Sequence, residues 1–307
     1  MIWKTSICLI ICIANTVSAS ACTLFAATGA PWVKGGGTLI VKNRDWQPQW
    51  QEMRLIEDSP YRYYGIFAGD MKKRSLRGGI NEKGLVVFSA SASYIPKKER
   101  NQMLHAKQSL LKVMLGECSN VDEALSHREL FLGPKFILLA DADKIASIEI
   151  ADNGNYKINI QQNNILAHTN HYLDPDLQKS NITIGKSSLT RYSRINELLQ
   201  TGKPPYTLSD FIAFSQDRHD GPDNSIWRTS STPRAIQTLA TFAVYIPKDK
   251  KPELYVKIRT APDEQGRETS YTITGNELFP QKQMDSPDAI LIKILQFINQ
   301  WIFRIFG

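Results

Sequence analysis

Ala19-Ser20-Ala21-Cys22-Thr23-Leu24-Phe25 carries two signals in one stretch: a small-residue Ala-x-Ala cleavage pattern ends where a cysteine begins. The residues before it have the layout of an export signal, with Lys4 as a short basic region and an apolar run from Ile7 to Ala14. That run is well short of the ~20 residues a spanning helix needs. Cutting after Ala21 would expose Cys22 as the first residue, in a secreted or periplasmic chain. A cysteine at a free N-terminus holds a thiol nucleophile and an α-amine on one residue, and the amine, with a reference pKa near ~8, can serve as its general base. A lipid-anchored, non-enzymatic binding protein is the competing reading, since lipoproteins also place cysteine directly after the cut. Those usually carry Leu three residues before the cut, where this chain has Ala19.

Composition supports a folded body behind this terminus. Of 307 residues, 42% are hydrophobic and 22% charged, and removing the first 21 leaves 286, enough for one large domain with a core that needs no disulfides. Of the four cysteines, Cys8 and Cys12 would leave with the signal. Cys22 and Cys118 remain; a bridge between them is possible but would consume the nucleophile, so Cys118 reads as a buried, inert thiol near a helix end. The net charge of +7 falls to +6 when Lys4 is lost, and the basic residues, as in Lys97-Lys98 and Lys248–Lys251, lack the interleaved aromatics of a nucleic-acid groove. Nucleic acid is therefore not an expected partner.

Outward from Cys22, apolar runs bounded by turn residues predict strands at Thr23–Ala27 and Thr38–Lys42 around the turn Gly35-Gly36-Gly37. More follow at Met53–Glu57, Tyr63–Phe67 and Gly84–Ser91. Helical spacing predicts Leu104–Glu117 and Val121–Arg128, the second capped by Ser119 or Asn120. Strands then recur at Lys135–Ala140, Ala146–Ala151, Tyr156–Gln161 and Ile165–His168. Helices are expected at Ser188–Gln200 and Leu208–Ser215, and a closing strand pair at Gln237–Ile246 and Glu253–Ile258. This order predicts two sheets layered with helices outside them, in one domain over residues 22–285. Residues 286–307 read as an apolar amphipathic C-terminal helix, packed on the body or lying on a membrane surface as a peripheral contact.

Six segments occur in order: Cys22-Thr23; Lys42-Asn43-Arg44-Asp45-Trp46; Asn81-Glu82-Lys83-Gly84 with its flanks; Thr169-Asn170-His171; Ser187-Ser188-Leu189-Thr190-Arg191; and Asp220-Gly221-Pro222-Asp223-Asn224-Ser225. In this order the chain resembles the linear amide C–N hydrolases of the N-terminal-nucleophile superfamily. That group holds penicillin V acylases, choloylglycine (conjugated bile acid) hydrolases and cysteine acyltransferases acting on 6-aminopenicillanic acid. The resemblance implies an α+β fold, a four-layer αββα sandwich, with no metal or organic cofactor and a tendency to form homo-oligomers. It assigns Cys22 as nucleophile, Asp45 as the carboxylate that orders the Cys22 amine, Asn170 as an oxyanion donor and Arg191 as the arginine near the nucleophile. Lys42, Arg44, Asn81 and Ser91 are expected on the substrate side.

Two departures qualify the match. The family's Arg-Asn-x-Asp reads Lys42-Asn43-Arg44-Asp45 here, so the arginine's role falls to Lys42 or Arg44, and a second family asparagine falls at about Ser91. Both pull toward the acyltransferase-like branch. The expected substrate is a small N-acylated amide, with penicillin V, bile salts, acyl-homoserine lactones and N-acyl amines all open. His168, His171 and His219 with Asp217 and Asp220 show no metal-ligand spacing.

Overall fold

The computed structural model describes residues 21–70, 72–92, 95, 97–100, 102–259 and 268–280; the export segment up to Ser20 and the apolar segment 286–307 lie outside these. The described residues form thirteen strands: β1 Ala21–Thr28, β2 Thr38–Trp46, β3 Trp50–Ile56, β4 Tyr63–Asp70, β5 Lys73–Asn81, β6 Val86–Ser91, β7 Lys135–Ala140, β8 Ile145–Ile150, β9 Tyr156–Gln161, β10 Ile165–His168, β11 Gln237–Ile246, β12 Glu253–Arg259 and β13 Glu268–Thr274. The helices are α1 Lys97–Arg100, α2 Leu110–Glu117, α3 Val121–Ser126, α4 Lys186–Thr201, α5 Leu208–Ser215 and α6 Gly221–Asn224.

Every strand pairing is antiparallel. One sheet runs β10-β1-β2-β11-β12-β13 and the other β3-β4-β5-β6-β7-β8-β9. Strand alternation then sorts the apolar side chains into three cores. Leu24, Ile40, Phe88, Phe136, Leu138 and Phe242 fill the space between the sheets. Val87, Ile137 and Leu139 face the other way, onto Met114 and Leu115 of α2 and Leu125 of α3. Phe25, Val41 and Ala243 turn from the first sheet toward Ile195 and Leu199 of α4 and Phe211 of α5. Helix, sheet, sheet, helix is the αββα sandwich the sequence anticipates.

The β1–β2 turn needs its glycines. Gly37 has φ +77°, and a Cβ there would meet the Ile246 carbonyl oxygen at 2.2 Å, so no other residue lets β2 enter beside β11. Asn120 caps α3 by accepting the Glu123 N–H, as expected.

One expectation needs correction, and two strands fall outside the sequence reading. The helix read as Leu104–Glu117 begins only at Leu110, because the exposed residues before it have no apolar face to bury. β5 is a strand on which the sequence reading is silent, its apolar pattern being broken by Arg77-Gly78-Gly79; Gly79 is required there because a Cβ would lie 2.2 Å from the Tyr64 carbonyl oxygen on β4. β13 was missed because all but one of its residues are exposed, leaving no buried face for alternation to reveal.

Candidate active site

Cys22 lies in β1 opposite Arg44 of β2, its side chain in the space between the sheets and only 5% exposed. Its backbone N–H donates to Asn170 Oδ1 at 2.8 Å. Asn170 is carried on the segment leaving β10, whose last residue, His168, pairs with Leu24. The Asn170 Nδ2 donates to the Ser91 carbonyl at the end of β6 (2.9 Å), so one amide side chain spans from the nucleophile's nitrogen in one sheet to a strand end of the other.

Arg191 braces this pair from the helical layer. Fully buried on α4, it donates through Nη1 to the Cys22 carbonyl at 2.6 Å and to Thr23 Oγ1 at 2.9 Å, and through Nη2 to Asn170 Oδ1 at 3.1 Å. Charge-assisted bonds of this kind are about twice as strong as neutral ones. Ser188, one turn earlier on the same face, fixes the backbone of the asparagine: its Oγ accepts the Asn170 N–H at 3.0 Å and shares hydrogen bonds with Thr169 Oγ1 and His171 Nδ1 at 3.0 and 2.9 Å. Burial, reinforced by His168 and Arg191, pulls the His171 pKa down to about 4.

Asp45 sits on the other face of β2 from Arg44, in register with Ala21. Its Oδ1 accepts the Thr238 hydroxyl at 2.8 Å, its Oδ2 is enclosed with no hydrogen-bond partner, and the Arg228 Nη1 stands 4.0 Å away. Burial pushes its pKa up, against the opposing pull of Arg191, Arg228, the Thr238 bond and Arg44. In this chain, where Ala21 precedes Cys22, the Cys22 amide N–H bonds Asn170.

The residues expected on the substrate side divide. Lys42 and Arg44 share the intersheet face with Cys22, but both are braced within the wall. Lys42 Nζ donates to the Arg77 and Ser89 carbonyls at 2.6 Å each, and Arg44 Nη1 to Gln51 Oε1 at 3.1 Å. Burial brings their pKa values down to about 8 and about 10 respectively; in both cases the charge of Cys22 opposes the fall. Ser91 contributes its carbonyl rather than its side chain. Asn81 is not a substrate residue: its Nδ2 donates to the Leu115 and Cys118 carbonyls and its Oδ1 accepts from the Lys83 and Leu85 N–H groups. Those four bonds fill its capacity and tie the β5–β6 turn to the end of α2.

Cys22 and Cys118 are both free thiols, and Cys118, at the end of α2, has its pKa pushed up to about 11 by burial and then by Glu123, Glu117 and Glu129. Among the described residues no group of three His, Cys, Asp or Glu side chains could hold a metal ion, and no helix is long and apolar enough to cross a membrane.

Sequence reading missed Arg77, Thr238 and Arg228. Arg228 follows the Asp220–Ser225 segment by three residues and could have been reached by extending it; Thr238 comes into place through its register with Asp45, and Arg77, at the irregularity between β4 and β5, through the packing of one sheet on the other.

No curated protein matches the chain. Two solved structures of conjugated bile acid hydrolase from Clostridium perfringens are similar to it. One, a cysteine-to-alanine mutant, has a TM-score of 0.46 at 12% identity, covering 82% of this chain and 97% of that one. The other, an arginine-to-leucine variant, has a TM-score of 0.46 at 11% identity over 85% and 99%. A family model, that of acyl-coenzyme A:6-aminopenicillanic acid acyl-transferase, matches residues 32–260, a span holding Asp45, Asn170 and Arg191. With three quarters of its length matched, the chain belongs to the acyl-coenzyme A:6-aminopenicillanic acid acyl-transferase family.

Proposed function

We propose that this protein is an exported amidase that cleaves the linear amide of a small N-acylated compound through a thioester on Cys22. The observation that carries this is the clamp on Cys22, its nitrogen at 2.8 Å from Asn170 Oδ1 and its carbonyl at 2.6 Å from Arg191. A residue held at both ends of its own backbone, with its thiol facing buried cations, is arranged for nucleophilic attack.

Release of residues 1–21 converts the Cys22 amide nitrogen into an amine. The amine takes the thiol proton, directly or through a water, and the sulfur attacks the substrate carbonyl carbon. The resulting oxyanion is held by Asn170 and a backbone N–H. Collapse breaks the C–N bond as the amine returns its proton to the leaving nitrogen, leaving the acyl group on sulfur. Water then adds to the thioester and frees the acid and the thiol.

The family's description favours a second outcome of the same intermediate, in which an amine replaces water and the chain acts as an acyltransferase. Adding amine nucleophiles separates the two: rising amide product at the expense of acid marks the transferase.

The deciding experiment follows the chain beginning at Cys22 by intact mass during turnover of N-acyl amides. An acyl adduct on the N-terminal peptide is expected, absent in Cys22→Ala. Full activity in Cys22→Ala, or a lipid on Cys22 in the chain recovered from an exporting host, would reject the mechanism. Asn170→Ala is expected to lower kcat by ~10²–10³, as loss of one oxyanion donor does, and an unchanged kcat would remove Asn170 from that role.

A further inference from the structure

Behind the strands that hold Lys42 and Asn170, on the side of the second sheet facing α2, lies a cavity of about 330 Å³. Its polar walls include Arg77 of β5, Ser89 and Ser91 of β6, Lys135 of β7, Gln108 and Ser109, with His105 beside them, and no acidic residue is among its described lining. Register brings them together: Ser91 pairs with Lys135, and the Ser89 hydroxyl reaches the Arg77 carbonyl at 3.3 Å.

Among the described residues neither cation has a carboxylate partner. Arg77 donates Nη2 to the Ala68 carbonyl at 3.3 Å while its Nε is enclosed without a partner, and no carboxylate bears on it or on Lys135. Burial lowers the pKa of both, with Cys22 opposing the fall at Arg77. The eight-residue helix α2 adds to the positive field. Its N-cap residue, Ser109, lines the cavity, makes no side-chain capping bond, and is followed by a first turn without an acidic residue. A helix N-terminus of this kind leaves N–H groups and the positive end of the dipole toward an anion.

We propose that this cavity is a binding site for an oxyanion group, a carboxylate or phosphate held between Arg77 and Lys135 at the start of α2. Arg77 supplies directional donors, Lys135 a mobile charge, and the serine hydroxyls neutral hydrogen bonds. Occupancy bears on the nucleophile's surroundings, because the lining residues Arg77 and Ser89 hold Lys42 through their carbonyls and Ser91 holds Asn170. The oxyanion has two sources, a carboxylate on an organic molecule such as the substrate or free inorganic phosphate.

The test is calorimetric titration of the full chain with inorganic phosphate in low-chloride buffer. Saturable binding is expected, weakened at least tenfold in Arg77→Gln and in Lys135→Gln. It should be unchanged in Lys157→Gln, whose ammonium pairs with Asp176 elsewhere. Near-UV circular dichroism checks that each variant is folded. No saturable binding, or equal affinity in all folded variants, overturns the site. Competition assigns the source: displacement by benzoate but not benzamide shows that the site accepts an organic carboxylate, and displacement by neither shows a site for phosphate. Equal displacement by benzamide would mean selection by shape rather than charge and would overturn the proposal.

Discussion

The single residue that most constrains pH behaviour is Lys42. Strand alternation puts it two positions from Arg44 on the face it shares with Cys22, and two carbonyls at 2.6 Å hold its ammonium there. Burial, with Arg44 and Arg77 adding to it and Cys22 opposing, brings its pKa down to about 8. The Cys22 amine must be unprotonated to act as base, and its reference pKa is also near ~8. Activity that needs the Lys42 charge should therefore follow a narrow bell, rising as the amine loses its proton and falling as Lys42 does. Lys42→Arg keeps the charge at high pH, so the alkaline limb of the pH–rate profile should move upward by more than a unit; a limb that stays in place would show that the charge is not used. Stability carries the opposite sign. Between pH 8 and 10.5 the folded chain binds fewer protons at Lys42 than the unfolded chain, so urea midpoints should rise with pH across that window in the native sequence and less so in Lys42→Met.

At the level of elements, α4 holds Asn170 and Cys22 in place from the helical layer. Its buried stripe is Ser188, Arg191, Ile195 and Leu199; the aliphatic half packs on the first sheet and the polar half holds Asn170 and Cys22. Ser188→Ala leaves the Asn170 N–H buried without its acceptor, which should cost about 1–3 kcal/mol of stability. As a positioning change it should also lower kcat about tenfold with KM unchanged, and Ser188→Thr, which restores a hydroxyl, should recover most of kcat; a loss of stability alone would make Ser188 purely structural. The neighbouring His171 stays neutral in the fold down to about pH 4, whereas an unfolded histidine takes up its proton near 6.5. Its contribution to stability should thus be present above pH 6.5 and decline as pH falls toward 4, and His171→Gln should flatten that part of the pH–stability curve. Elements with a buried face were legible in the sequence, as Lys135–Ala140, Ile165–His168 and Leu208–Ser215 show. β13 and β5 were not, one because it is exposed and the other because glycine replaces the apolar residue wherever strands crowd.

Across the whole molecule, the site is joined from both sheets and one helical layer, and this divides what sequence could reveal. Cys22, Asn170 and Arg191 stand in local motifs and could be named in advance. Arg77 and Thr238 could not, because Arg77 meets Lys42 only where the second sheet packs on the first, and Thr238 meets Asp45 only through the pairing of β2 with β11. The same assembly links processing to stability. Asp45 is in register with Ala21, the residue that cleavage would remove, and its Oδ2 is enclosed with no hydrogen-bond partner while burial holds its pKa up. In the full chain, Asp45→Asn should therefore leave stability unchanged or raise it, since it removes a buried charge at little loss of bonding. If the carboxylate orders the new Cys22 ammonium, the bond between them joins two charged groups, and a hydrogen bond to a charged group contributes roughly 1.5–3 kcal/mol. Asp45→Asn should then destabilise the processed chain by about that amount while lowering its activity at least ~10²-fold. Urea unfolding of both chain lengths, each with Asp or Asn at position 45, measures the difference as a coupling between cleavage and carboxylate. A coupling near zero would mean that Asp45 does not sense the new terminus, and the carboxylate's part in ordering the Cys22 amine would have to be given up.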